Sequence, residues 1–158
     1  MKKIIFLTFF ILILIKNLDA CFGPELFVGY EKGNGESYVV ANLLDVYIKE
    51  KTGINVVLKE IEKESTSKLL DKEAVDILTF SFESDKTKKV NLSADKKVSV
   101  YYRKKIEEDL RFTSLISALT NLANKFYQKD YNDLKILIEK KGRIKRTIKE
   151  YLMDKGIW

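Results

Sequence analysis

The hydrophobic positions of this chain change their spacing several times, and each change marks a new element of secondary structure. Short β-branched and apolar runs predict strands, whereas apolar residues spaced three and four apart predict helices. From residue 25 onward the two patterns alternate, starting with a strand, at Glu25–Tyr30, Glu36–Lys51, Ile54–Ile61, Glu64–Glu73 and Ala74–Phe82. This β-α-β-α-β order with short links predicts a parallel sheet with right-handed crossovers.

The second half of the chain predicts one more strand and then only helices. Residues Glu83–Lys97 are polar, charged and almost without periodicity, and the strand pattern returns only at Val98–Arg103. Three apolar stripes at helical spacing follow, beginning at Leu115, Leu134 and Ile144. The predicted fold is therefore α/β, with a mostly parallel four-stranded sheet flanked by helices and a C-terminal helical run, in one domain that spans residues 21–158.

The first residues have the pattern of an export signal. Lys2 and Lys3 precede an apolar run, Ile4–Ile15, and a polar segment follows it, as in a secretory leader. A transmembrane anchor is the less favoured interpretation, because a spanning helix needs roughly 20 apolar residues. Residues 1–20 are therefore predicted to be a signal peptide, and the protein is expected in the periplasm or elsewhere in the cell envelope.

The single cysteine, Cys21, directly follows this leader. The sequence LDAC resembles a bacterial lipobox, with Leu18 and Ala20 at their usual places and Asp19 where a small or apolar residue is usual. Two alternatives stay open: lipidation of Cys21, which would tether the protein to a membrane, and plain cleavage after Ala20, which would leave a free thiol. With one cysteine no intramolecular disulfide can form, so packing alone must stabilise the fold.

Composition argues against several classes of function. The sequence has no histidine and a formal net charge of +6. Histidine is the commonest metal ligand and a frequent general base, so an ordinary hydrolase or metalloenzyme is a poor candidate. Some acidic residues could supply a carboxylate pair at the strand ends, although no spacing requires it: Glu31, Glu36, Glu83 and Asp85. We therefore predict no enzymatic activity, no metal and no cofactor.

A basic segment lies near the end of the sequence, at Lys140–Lys149. Its apolar residues fall at helical spacing, which favours an amphipathic helix with a solvated basic face. Contact with an anionic lipid headgroup or an acidic partner is the alternative. Nucleic acid is not expected as a partner, because an exported protein has little access to it.

The loop between the first strand and the first helix is the main candidate for holding a ligand. Its sequence EKGNG carries Gly33 and Gly35, but the spacing does not fit a Walker A loop. Tyr38 stands where a dinucleotide-binding fingerprint would have a third glycine. What remains is a helix start, whose amides and dipole suit a carboxylate or phosphate. The alternative is that Glu36 and Ser37 satisfy this helix end themselves.

Several short motifs follow one another in an informative order. They are Gly29, Asn34, ESY at 36–38, ANLL at 41–44, TG at 52–53, VVLKEI at 56–61 and AVDI at 74–77. In this order they resemble the glycine betaine/choline/carnitine-type substrate-binding proteins of ABC importers. The tail, which closes with EYLMDKGIW, is similar to the last three helices of that family.

The resemblance implies a periplasmic-binding-protein-like fold reduced to one lobe. In that family the chain builds a second lobe after the third strand, and the two lobes close around the ligand, whereas here only Glu83–Lys97 stand at that place. The implied partners are a small polar or quaternary-amine solute and an ABC permease. Two copies could face each other as a homodimer and rebuild the cleft.

The resemblance also implies a binding site at the carboxyl ends of the strands. The substrate-binding residues predicted in this way are Tyr30, Asn34, Glu36, Ser37, Phe80 and Tyr102, with Tyr101 as the alternative to its neighbour. For Phe80 a core position is also open, since one face of a parallel strand packs under a helix. Two features depart from the family: Gly35 follows the loop asparagine, and EKEST replaces a Gly-rich turn.

Two functions follow from these observations. The first is an exported solute-binding component of a glycine betaine-type ABC transporter. The second is a one-lobe interaction module of the cell envelope that has lost solute capture and docks a permease or another partner. An exposed apolar patch would favour the module, whereas charged residues over the sheet edge would favour an independent monomer.

Overall fold

The computed structural model describes residues 24–158, so the predicted leader and Cys21 lie outside the described residues. Within that range no helix is both long enough and apolar enough to cross a bilayer. The chain forms a mixed β-sheet with helices on both faces, which confirms the predicted α/β class.

The sheet has five strands in the order β2-β1-β3-β5-β4. Their bounds are β1 Glu25–Glu31, β2 Asn55–Ile61, β3 Ile77–Leu78, β4 Thr87–Asn91 and β5 Ser99–Arg103. Strand β1 pairs in parallel with β2 and with β3. Strand β5 runs antiparallel to both β3 and β4. The predicted mostly parallel four-stranded sheet is therefore wrong in the number of strands and in the direction of β5, which makes two of the four pairings antiparallel.

Two segments account for this difference. The predicted third strand, Ala74–Phe82, contributes only Ile77 and Leu78 to the sheet. The polar segment Glu83–Lys97 contains β4, a sheet-edge strand whose middle residues are exposed. An edge strand does not need a continuous apolar face, which is why the hydrophobic pattern did not reveal it.

The helices are α1 Gly35–Thr52, α2 Thr66–Asp71, α3 Thr113–Lys125, α4 Gln128–Lys141 and α5 Ile144–Asp154. Short 3₁₀ turns lie at Lys63–Ser65, Lys104–Glu107 and Leu110–Phe112. Helix α1 is central: every residue from Val39 to Ile48 is buried. It packs on β1 and β2 on one side and on α3 and α5 on the other. The C-terminal helices therefore cover the face of α1 that would otherwise be solvated.

The sheet separates two apolar clusters of unequal size. The larger lies between the sheet and helices α1, α3, α4 and α5. The smaller lies on the opposite face under α2 and includes Leu70, Leu78, Phe80 and Tyr101. Helix α2, with six residues, is the short cover of this face, and Phe80 and Tyr101 of the smaller cluster also line a cleft near the strand ends.

A buried ion pair ties the middle of the sheet together. Arg103 at the end of β5 donates to the Asp76 carboxylate, with an Nη2–Oδ1 distance of 2.5 Å, and the Asp76 side chain is only 5% exposed. The same carboxylate accepts a hydrogen bond from the Phe27 N–H of β1 at 2.8 Å. Asp76 therefore links β1 and β5 across the short strand β3.

Candidate functional site

A polar cleft lies at the sheet edge where β1 and β3 end and β5 begins. Its volume is about 510 Å³, which is within the usual range for sites that hold small molecules. One wall is the loop after β1 with the first turn of α1. The opposite wall is the start of α4 and the segment around Lys97. The strand ends, from Thr79 to Ser81 and at Ser99, form the floor.

The loop wall is stabilised by the Asn34 side chain, which is the N-cap of α1. Its Oδ1 accepts hydrogen bonds from the N–H groups of Glu36 and Ser37, each at 3.1 Å. Its Nδ2 donates to the Glu31 carboxylate at 2.8 Å. The helix amides proposed as an anion seat are therefore capped within the chain, by Asn34 and not by the side chains of Glu36 and Ser37.

Ser37 joins this wall to the floor. It is 2% exposed, and its hydroxyl accepts from the Glu31 N–H at 2.9 Å and lies 2.7 Å from the Thr79 hydroxyl. Thr79 Oγ1 in turn donates to the Ser37 carbonyl oxygen at 2.9 Å. These hydrogen bonds hold α1 against the end of β3. Ser37 therefore lines the cleft, but its hydroxyl group is already used in hydrogen bonds that stabilise the fold.

The opposite wall contains a polar group with no partner. Tyr131, in the first turns of α4, lines the cleft and is 4% exposed. Its hydroxyl is buried, and no other group among residues 24–158 forms a hydrogen bond with it. Burial, with a smaller effect of the Glu36 carboxylate, raises the pKa of Tyr131 to about 12. At neutral pH the hydroxyl is therefore protonated and able to donate.

Three lysines contribute positive charge to the cleft: Lys63, Lys89 and Lys97. Among the described residues, none of them has a carboxylate within 4 Å, although many other basic side chains of the protein do. Lys89 faces the same side of the sheet as Tyr101, its partner in the β4–β5 ladder, and its Nζ lies 6.0 Å from that ring. The three lysines come from separate segments, so no local sequence pattern predicted them.

The cleft also has two acidic side chains, and both make contacts within the chain. The Glu31 carboxylate accepts from Asn34, and Glu36 lies 3.8 Å from the ammonium group of Lys135. Among residues 24–158, no group of three histidine, cysteine, aspartate or glutamate side chains is placed to hold a metal ion.

The predicted site residues divide into two groups. Those that line the cleft are Asn34, Glu36, Ser37 and Phe80. Phe80 is 7% exposed and belongs to the smaller apolar cluster as well. Its side chain is therefore both a core residue and part of the cleft floor, so the two alternatives considered for it are compatible.

Tyr30 and Tyr102 are not among the residues that line the cleft. Tyr30 packs against the larger core, and its ring meets that of Tyr38 edge-on with centroids 5.1 Å apart. Tyr102 is 3% exposed, and its hydroxyl donates to the Glu107 carboxylate at 2.5 Å. Because neighbouring residues of a strand point to opposite faces, Tyr101 reaches the cleft and Tyr102 does not.

The basic segment Lys140–Lys149 lies far from the cleft along α4 and forms much of α5. Lys145 bonds to the buried carboxylate of Asp45 at 2.6 Å, and Lys149 bonds to Glu50 at 2.6 Å. Arg146 pairs with Glu150 one helical turn away. Much of the positive charge is thus matched within the chain, and two of these pairs attach α5 to α1.

Comparisons of the chain with protein-family models, with curated proteins and with solved structures found no match. The resemblance to glycine betaine-type binding proteins therefore stays a prediction from motif order.

Proposed function

We propose that the protein is an exported, one-lobe solute-binding protein whose cleft takes a small polar solute. The observation that carries the proposal is the convergence at one sheet edge of Asn34, Glu36, Ser37 and Phe80 with the unpartnered hydroxyl of Tyr131. Ligands of open α/β sheets bind at the carboxyl ends of the strands, and the cleft lies at that edge.

The size and lining of the cleft fit a solute of a few heavy atoms that carries charge. Lysines and glutamates line the cleft together, and the rings of Phe80 and Tyr101 provide apolar contact area. Glycine betaine and carnitine, which carry a quaternary ammonium and a carboxylate, are the first candidates, in agreement with the motif order. The aromatic faces would then contact the ammonium end.

The geometry also indicates weak binding by one copy. The cleft opens to solvent along one side, so a bound solute keeps much of its hydration, and millimolar affinity is expected. A second copy facing the first would close this side, and we propose a homodimer as the form that binds more tightly. An ABC permease remains the proposed receiver of the solute, and lipidation of Cys21 would hold the protein near it.

The exposed apolar residues do not favour an interaction module. The large ones are Tyr38, Leu110, Tyr127, Ile136 and Met153, and they are distributed over several helices and a connecting turn. The edge strand β4 presents the exposed Lys88 and Lys89, and such charges discourage pairing of sheet edges. Solute capture is therefore the better supported of the two functions.

Thermal unfolding of the purified protein with added solutes tests the proposal. The panel is glycine betaine, carnitine, choline, succinate and inorganic phosphate at millimolar concentration, with chloride used to match ionic strength. A solute that binds only the folded state must raise the unfolding midpoint, increasingly so with concentration. We expect at least one member of the panel to do so.

A pair of substitutions locates the binding. Ser81 is exposed on the cleft floor, and Ser67 is exposed on α2 away from the cleft. Ser81→Trp should fill the cleft and abolish the shift, whereas Ser67→Trp, the matched control, should keep it. If the unfolding midpoint responds to no solute, or responds equally in both variants, the proposed function is wrong.

A further inference from the structure

We infer that the group recognised in this cleft is an oxyanion, a carboxylate or a phosphate, held by the ammonium groups of Lys89 and Lys97 and by the Tyr131 hydroxyl. This inference rests on the proposed function and names the class of its solute. It places the recognition of the solute on the wall opposite the loop after β1, where the sequence did not indicate a site.

The first argument is the distribution of charge that is already compensated. Of the two loop-wall carboxylates, Glu36 faces Lys135, whereas Glu31 accepts a hydrogen bond from the neutral amide of Asn34 and keeps its charge. The three cleft lysines have no carboxylate within 4 Å among residues 24–158. The lysines therefore outnumber the glutamates and give the cleft a net positive charge, and an anion is the group that complements the side of Lys89 and Lys97.

The second argument is the Tyr131 hydroxyl. A buried hydroxyl without a partner destabilises the folded state, because it lost its water without gaining a hydrogen bond. Buried polar groups in folded proteins nearly always have a partner, so an exception at the wall of a cleft points to a missing acceptor. A protonated phenol that lines the same cleft as the lysines can donate to an oxyanion oxygen.

The third argument excludes the helix ends as the anion site. The start of α1 is capped by Asn34. At the start of α4, the Gln128 N–H donates to the Asp95 carboxylate, and the Tyr127 N–H donates to Asp130. Both helix N-termini near the cleft are thus occupied by acceptors from the chain, and the solute must be recognised by side chains.

The inference separates solutes that otherwise look alike. A zwitterion such as glycine betaine can place its carboxylate among the lysines and its ammonium near Glu31 and the ring of Phe80. Succinate and phosphate satisfy the lysine side alone. Choline has the ammonium but no oxyanion, so it should bind at least about tenfold more weakly than glycine betaine, since charge-assisted hydrogen bonds are the strong ones.

Isothermal titration calorimetry of the full chain with glycine betaine, succinate, phosphate and choline tests this. Lys89→Gln and Lys97→Gln should each raise the dissociation constant for the oxyanion about tenfold or more. The matched control is Lys140→Gln, at the far end of α4, which also has no acidic partner within 4 Å in the described part of the chain. It should leave the dissociation constant unchanged.

A tyrosine pair separates binding from folding. Tyr131→Phe removes a hydroxyl with no partner, so the midpoint without ligand should stay equal or rise while oxyanion binding weakens. Tyr151→Phe removes a hydroxyl that donates to Asp130 at 2.9 Å, so the midpoint should fall while binding is retained.

The outcomes distinguish the inference from the function on which it rests. Binding of the oxyanions that depends on the lysines and on Tyr131 supports both. Choline binding as tightly as glycine betaine, or oxyanion binding unchanged in Lys89→Gln and Lys97→Gln, overturns the inference while solute capture stands. If titration with every solute gives no heat, and no unfolding midpoint responds, solute capture itself is overturned. A phosphate response without a succinate response identifies phosphate as the source of the oxyanion, and the reverse identifies a carboxylate.

Discussion

Replacement of Asp76 by alanine should destabilise the protein strongly, because it removes the main partner of the largely buried Arg103 guanidinium and the acceptor of the Phe27 N–H. The Asp76 side chain is 5% exposed and Arg103 is 15% exposed, with 2.5 Å between their charged atoms. The substitution removes the carboxylate from Arg103 and also the acceptor for the Phe27 N–H. Glu73 lies 3.4 Å from Arg103 but is half exposed, so it compensates only in part.

Breaking a buried ion pair by removing one partner costs about 3–5 kcal/mol. For a domain of this length that corresponds to a fall of roughly 10–20 °C in the unfolding midpoint. The pair between Lys86 and Asp71 is the matched control, since it has the same 2.5 Å separation but side chains that are 58% and 51% exposed. Asp71→Ala should cost far less than Asp76→Ala, because solvent screens an exposed pair.

Urea denaturation followed by circular dichroism gives both free energies on one scale. The double variant Asp76→Leu with Arg103→Met should recover much of the loss, since apolar residues of similar volume often replace a buried pair at little cost. If Asp76→Ala costs no more than Asp71→Ala, burial does not decide the strength of these pairs, and the reasoning is refuted.

Three further predictions concern the helix start, the sheet and a partly buried acid. Asn34→Ala should cost about 1 kcal/mol in urea denaturation, because α1 loses the cap that accepts two of its amides; an unchanged urea midpoint would contradict that role. Gly29→Ala should cost about 1–3 kcal/mol, since its Cβ would collide with the buried side chains of β2 and β3, whereas Gly35→Ala meets open space and should cost much less. The Arg111 guanidinium beside Asp109 holds the pKa of that carboxyl at about 2, below its ordinary value. The ionised Asp109 carboxylate therefore stabilises the fold fully at pH values above the ordinary pKa of an aspartate, and this stabilisation disappears as the pH falls to about 2. An NMR titration should show this pKa returning toward its ordinary value in Arg111→Gln, and an unchanged pKa would contradict the role given to Arg111.

The sequence predicted those secondary-structure elements whose hydrophobic pattern depends only on residues close together in the chain. Strands β1 and β2 and helix α1 lie within a few residues of their predicted bounds, since β-branched runs and helical spacing report directly on burial. Gly53 ends α1 in the left-handed conformation with φ of 72°, as a helix-ending glycine should.

The errors arose where distant residues decide the structure. The packing of α1 on α3 and α5, which come much later in the chain, could not be predicted from its own residues. The segment Ala74–Phe82 looks like a full strand, but only Ile77 and Leu78 form regular strand structure, although the backbone of Asp76 and Thr79 also bonds to neighbouring strands. Strand β4 exposes Lys88 and Lys89 and so lacks an apolar face.

The sequence predicted one wall of the candidate site and not the other. The edge of the sheet and its loop wall follow from the strand–loop–helix pattern, and Asn34 and Phe80 lie there. The other wall depends on how residues 89–131 fold back on β1. No local sequence pattern indicates that Lys89, Lys97 and Tyr131 line the same cleft as Glu31. A lone lysine in a polar loop looks the same in sequence whether it faces solvent or a ligand.

The attachment of α5 to α1 has a consequence for the order in which the protein can fold. Asp45 and Glu50 bond to Lys145 and Lys149, about a hundred residues later in the chain. During synthesis at about 5–20 residues per second, α1 therefore emerges about 5–20 s before its outer partner exists. During that interval α1 can pack only on β1 and β2, which lie next to it in the chain, and the face that α5 covers stays open, so the larger apolar cluster cannot be completed until α5 has been made.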